Sequence, residues 1–164
     1  MSASEESTAL MVSLRSQRAH VLGILDGLGD EDLRRPVLPT GWSCLGLVAH
    51  LTLDVERFWF RAVVAGETVE LQSGDGAWKV GPEVAGRSVL DAYREETALA
   101  DAVIAATTLD AEPRCWPGEL FGQMPRMDLR QTVLHVLTET ACHAGHLDAA
   151  RELIDGRTWL VLTD

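Results

Sequence analysis

One short stretch, HVLTETACHAGH at residues 135–146, holds three of the chain's five histidines and a glutamate: His135, Glu139, His143 and His146. Imidazole and carboxylate are the side chains that most readily hold a divalent cation. On an α-helix turning about 100° per residue, these four fall within about 80° of one another. Val133, Leu137, Ala141 and Ala144 occupy a different side, and Gln131, Thr138, Asp148 and Glu152 supply a separate polar strip. The histidines are therefore not needed for solvation. Glu139 and His143 stand four residues apart, a spacing that projects both from one face. Two ligands from one helix leave a cation under-coordinated, so a third must come from elsewhere. His50 is the candidate, with Asp54 one turn on to hold its second ring nitrogen. The candidate metal ligands are His50, Glu139 and His143. Spacing alone also allows the plain reading of satisfied surface or core side chains.

Other chemistries are weaker. The pattern is not HExxH, so it brings no water-activating glutamate. Cys142 adjoins His143, but neighbouring helical residues point about 100° apart and rarely meet. His20 stands alone and reads as packing or surface. His135, His146 and Cys142 receive no role, and no residue is assigned as catalytic.

These side chains need elements to position them. Apolar residues from Leu10 to Leu28 recur at helical spacing and stop at Gly29. The segment DEDLRRP reads as a polar turn leading into VLPTGWS, where Pro36, Pro39 and Gly41 exclude regular structure. Thr40 or Ser43 can cap a second helix from Cys44 to Gly66, whose apolar set Leu47, Val48, Leu51, Val55, Phe58, Trp59 and Ala62 carries His50 at its edge. A glycine-rich connection follows. SVLD at Ser88 predicts a capping box opening a third helix that fades near Thr108. A second long loop holds Trp116 and Phe121. Asp128 with Gln131 then signals the cap of a fourth helix running to Ile154 and ended by Gly156. The tail RTWLVLTD stays unassigned. Four amphipathic helices without a strand signal predict an all-α four-helix bundle with two long inter-helix loops, residues 1–164 forming one domain.

The composition narrows the partners. Lys and Arg number 14 against 25 Asp and Glu, a formal net charge of -11, and such a field repels phosphate backbones. Nucleic acid is not expected. The N-terminus is acidic, and no apolar run reaches the roughly 18 residues a membrane span needs, so a cytoplasmic location and no membrane are expected. Three cysteines, Cys44, Cys115 and Cys142, without CxxC, suggest neither disulfides nor a thiolate zinc site.

The opening of the second helix, PTGWSCLGLVAHL, resembles the Gly-Trp-Ser/Thr…His-Leu signature of the DinB-like superfamily. HVLTETACHAGHLDAARELIDG is similar to the closing helix of that superfamily's small single-domain actinobacterial branch, related to mycothiol-dependent maleylpyruvate isomerase. The resemblance implies a divalent metal held by one histidine of the second helix and a Glu-x-x-x-His pair of the last, which fall on His50, Glu139 and His143. Where many relatives carry glutamine this chain has His146, and where others place an extra histidine it has Cys142. The isomerases' additional C-terminal domain does not fit in 164 residues.

The resemblance further implies a metal-dependent thiol S-transferase or thiol-assisted isomerase, with a low-molecular-weight thiol such as mycothiol as cosubstrate, an electrophilic small molecule as its partner, and pairing as a homodimer. Zinc leads as the metal, with nickel, manganese and iron also suited to two imidazoles and a carboxylate. Trp78, Trp116 and Phe121 are candidates for substrate walls. A metal-dependent hydrolase and a non-catalytic metal-binding stress-response protein are the alternatives.

Overall fold

The computed structural model describes residues 3–159. Helix α1 spans Ala3–Leu25, and a short α2 spans Asp30–Arg34. Helix α3 (Cys44–His50) runs directly into a π-wound segment, Leu51–Val64. A 3-10 turn at Gly76–Trp78 interrupts the first long loop, α4 covers Gly86–Ala105, a one-turn α5 covers Gly118–Phe121, and α6 covers Leu129–Asp155. The described residues are helical or irregular, with no strand among them.

The long helices pair by their apolar faces: α1 lies along α6, the π segment along α4, and α6 also meets α3 and the π segment. Between them Leu14, Val21 and Ile24 of α1, Leu47, Val48 and Leu51 of the second helix, Tyr93 and Ala100 of α4, and Val133, Val136 and Leu147 of α6 are buried. Each such Val, Leu or Ile contributes roughly 1.5–3 kcal/mol when removed from water. Because α6 touches both halves of the second helix, a residue on its face toward them can meet His50.

Buried ions fix the alignment. The Arg18 guanidinium donates to both Glu56 oxygens at 2.7 and 2.6 Å and to Asp101 at 2.6 Å, linking α1, the π segment and α4. Burial pushes the Glu56 carboxyl above its ordinary pKa, and Arg18 opposes that rise. Arg151 of α6, also buried, donates to the carbonyls of Ile24 and Asp26, satisfying acceptors that the end of α1 leaves without partners.

Several expectations hold. Ser43, not Thr40, caps α3, its Oγ accepting from the Gly46 amide at 3.1 Å. Asp128 and Gln131 form the full capping box: Asp128 Oδ1 accepts from the Gln131 amide at 2.8 Å, and Gln131 Oε1 accepts from the Asp128 amide at 3.0 Å. Gly156 ends α6 with φ +78°, the left-handed conformation glycine takes most easily.

Other expectations are corrected. The first helix begins at Ala3 and ends at Leu25, before the predicted stop at Gly29; Glu5 and Glu6 in its first turn favour the early start. The DEDLRRP turn is helix α2. No capping box forms at Ser88, because α4 starts two residues earlier: Asp30 of α2 reaches across and accepts from the Gly86 amide at 2.6 Å. Ser88 Oγ instead donates to the Ala85 carbonyl. The apolar spacing of three and four that predicts a regular α-helix after His50 is wound as π, with Ala65 N–H donating to the Phe60 carbonyl at 2.9 Å. Of the tail, Trp159 packs at Gly23 on α1, and residues 160–164 lie outside the described residues.

Candidate metal centre

His50 is the last residue of α3, and its neighbours Ala49 and Leu51 are anchored in the core. That anchoring leaves the imidazole at the rim of the helix, half-buried. Its Nδ1 lies 2.9 Å from Asp54 Oδ2. A carboxylate accepts only, so the hydrogen-bond network assigns the proton to Nδ1 and leaves Nε2 with a bare lone pair. The Trp78 indole stacks on the same ring, centroids 4.2 Å apart and planes 15° from parallel. The loop reaches this position by passing close over α3, where a Cβ on Gly46 would collide with the Trp78 carbonyl oxygen. A Gly-rich connection and an in-helix glycine thus place an indole against one face of His50.

Helix α6 supplies the rest. Glu139 Oε2 and His143 Nε2 are 3.6 Å apart across one turn. The His143 ring meets His50 edge-on, centroids 5.2 Å apart. One donor atom from each of His50, Glu139 and His143 lies within 4.8 Å of the other two, and all three side chains are half-buried. Burial, and next the charge His50 would carry, depress the His143 pKa, with Glu139 opposing. His143 therefore favours its neutral form, the one that offers a lone pair to a cation.

The profile of the mycothiol-S-transferase family matches residues 9–156, from α1 through the end of α6. The chain belongs to the mycothiol-S-transferase family. Membership agrees with the DinB-like resemblance of the PTGWS and HAGHLD segments. No curated protein and no solved structure matches.

The donor set of this family member fits a divalent cation. Two imidazoles and one carboxylate converge, one imidazole is held by an acceptor on its far nitrogen, and the other is biased to its neutral form. The three residues that would hold it are His50, Glu139 and His143.

The remaining histidines and the cysteines are not among the three converging donors. His135, one turn before Glu139, packs edge-on against Trp59 with centroids 4.6 Å apart. His146 lies with its Nδ1 3.4 Å from the Nδ1 of His143. His20 is bound to Asp148 at 2.8 Å and stacked on Trp159, the packing alternative of the packing-or-surface reading. Burial pushes the Cys44 thiol up to about 11, far from a nucleophile's range. Cys115 and Cys142 are exposed free thiols.

Of the three aromatic residues expected to wall a substrate site, only Trp78 is at the donors. Trp116 and Phe121 join Phe58 and Trp59 in a separate cluster, where Trp59 and Phe121 stack at 5.1 Å. That cluster reaches the α6 face through His135. The Trp78–His50 stack and the His146–His143 contact were not read from the sequence. The first depends on where an irregular loop lands, and the second hides in a shared helix face that a wheel shows but cannot measure.

Proposed function

We propose that this single-domain chain is a metal-dependent thiol S-transferase built as a four-helix bundle, joining a low-molecular-weight thiol to a small electrophile. The family name points to mycothiol as that thiol. The observation that carries the reading is the convergence of His50, Glu139 and His143 within 4.8 Å in a member of that family.

A bound divalent cation, zinc first and nickel, manganese or iron next, would supply Lewis acidity that lowers the pKa of a thiol brought to it. The chain's own residues then have distinct tasks. His50, Glu139 and His143 provide the donors. Asp54 keeps the His50 proton on Nδ1 and the ring in place. Trp78 covers one face of His50 and keeps water from it. The Trp59, Trp116 and Phe121 cluster offers apolar surface along the same helix face for the electrophile. In the overall reaction with an aryl chloride, the thiol sulfur forms the new bond to carbon, chloride leaves with the bonding pair, and the thiol proton passes to solvent.

The test is conjugation of mycothiol to a chloronitrobenzene-type acceptor, followed by product absorbance, with and without chelator and after adding back zinc. Chelator-sensitive, zinc-restored turnover is expected. Hydrolysis of an ester or amide panel without thiol would replace this reading with that of a metal-dependent hydrolase. Absence of any metal-dependent turnover would leave a non-catalytic metal-binding protein.

A further inference from the structure

His146 sits one turn beyond His143 on α6, exposed to solvent, with its Nδ1 3.4 Å from the Nδ1 of His143, at the long end of hydrogen-bond distances. Two neutral imidazoles meeting through the same type of nitrogen cannot both bring a proton, nor both bring a lone pair, and still attract. One must donate and the other accept. The other nitrogen of His143, Nε2, is the one that faces Glu139, at 3.6 Å. If Nε2 is to present a lone pair there, the ring's single proton is on Nδ1, and it points at His146. His146 must then be bare at Nδ1 and carry its own proton on Nε2. Its ring is also backed by Trp42, centroids 6.0 Å apart, the half-buried tryptophan of the GWS segment that packs against the core.

We infer that His146 is a positioning residue that accepts the Nδ1 proton of His143 and thereby commits Nε2 of His143 to the cation. It does for His143 what Asp54 does for His50, with a neutral acceptor in place of a carboxylate. The chain Trp42, His146, His143 also gives the GWS segment a link to the donors: the core holds the indole, the indole limits the His146 ring, and that ring fixes the tautomer of His143. This inference rests on the metal reading above: without a cation, the Glu139 carboxylate facing Nε2 competes with His146 for the ring's single proton.

Two readouts test it. Long-range nitrogen-15 NMR on the metal-free protein should show a His143 population protonated at Nδ1, and His146→Ala should shift the ring toward the Nε2-protonated tautomer that Glu139 favours. Cobalt(II) affinity, measured by chelator competition, should fall ten- to a hundred-fold in His146→Ala, the range typical for loss of a partner outside the ligand set. His146→Asn, whose side-chain carbonyl can accept the same proton, should regain most of that loss. His135→Ala, on the same helix face but without contact to His143 among the contacts described, should change neither readout. Thermal melting of the metal-free His146→Ala protein should match the parent. The inference is overturned if His143 keeps its tautomer in His146→Ala. It is equally overturned if affinity is unchanged, or if His146→Asn binds as weakly as His146→Ala and the cobalt visible band changes as it does on losing a direct ligand. Wild-type protein that binds no cobalt would sink the metal reading itself, while the NMR result would still decide the tautomer claim.

Discussion

Two histidines in this molecule are dressed almost alike. His20 and His50 each hold a carboxylate oxygen, at 2.8 and 2.9 Å, and each stacks on an indole 15° from parallel, Trp159 and Trp78 respectively. Their side chains are even equally accessible, 16% in both. Yet of the two, only His50 belongs to a group of converging donors among the described residues. The difference is in which nitrogen is occupied and by whom. His20 contacts Asp148 through Nε2, its outermost atom, and that carboxylate comes from the facing helix α6. The ring's reach is consumed in stapling α1 to α6. His50 is engaged through Nδ1 by Asp54 of its own helix, so Nε2 stays available for what α6 brings, and α6 brings Glu139 and His143. A polished histidine environment is therefore no sign of a metal site. A free outer nitrogen facing a second helix with donors is.

The largest test of this contrast is metal content. His50→Ala and His143→Ala should each drop bound metal from about one per chain to a small fraction, since two remaining donors cannot hold a divalent ion tightly. His20→Ala should leave the content untouched, as elemental analysis of the purified proteins can check. Next in size, Asp54→Ala should weaken metal affinity about ten- to a hundred-fold by freeing the His50 ring. Asp148→Ala, its counterpart at His20, should have no such effect in the same chelator competition.

The order reverses for stability. Asp148→Ala should cost on the order of 1 kcal/mol in denaturant unfolding, the usual net value of a single hydrogen bond. His20→Ala should cost somewhat more by also uncovering Trp159. His50→Ala in the metal-free state should cost less than His20→Ala: each uncovers an indole, Trp78 or Trp159, but the hydrogen bond lost at His50 is to Asp54 one turn along the same continuous helix, whereas His20 ties α1 to Asp148 of α6.

The smallest effect is on pH dependence. Burial and the charge His50 would carry hold the folded His143 below its ordinary 6.5. As pH falls, the unfolded chain therefore takes up this proton first, and stability of the metal-free protein is lost from about pH 6.5 downward until the folded pKa is passed. Melting temperature of metal-free protein across that range should fall more steeply for the parent than for His143→Gln. Metal binding should likewise persist to lower pH than an ordinary imidazole ligand allows.

Much of the site was legible because it obeys helix periodicity. Glu139 and His143 are one turn apart on a helix whose cap, Asp128 with Gln131, is written in the chain. His50 and Asp54 share the same spacing on an apolar stripe. Long-range choices were not legible. The start of α4 is set by Asp30 from a different helix, so the local SVLD signal at Ser88 lost to a cap supplied across space. The π winding after His50 keeps the apolar residues inward that a regular helix would also have buried, so their spacing does not reveal it. Trp78 is brought to His50 by a loop with no period, through the gap that Gly46 leaves. Contact between His143 and His146 required a distance, which angles on a wheel do not supply.

The most direct test of the central claim is a crystal structure of protein loaded with zinc, with anomalous diffraction recorded at the zinc edge. One anomalous peak is expected about 2.0–2.2 Å from a nitrogen of His50, an oxygen of Glu139 and a nitrogen of His143. A peak bound elsewhere, or these three side chains turned away from one another with no peak between them, would contradict it.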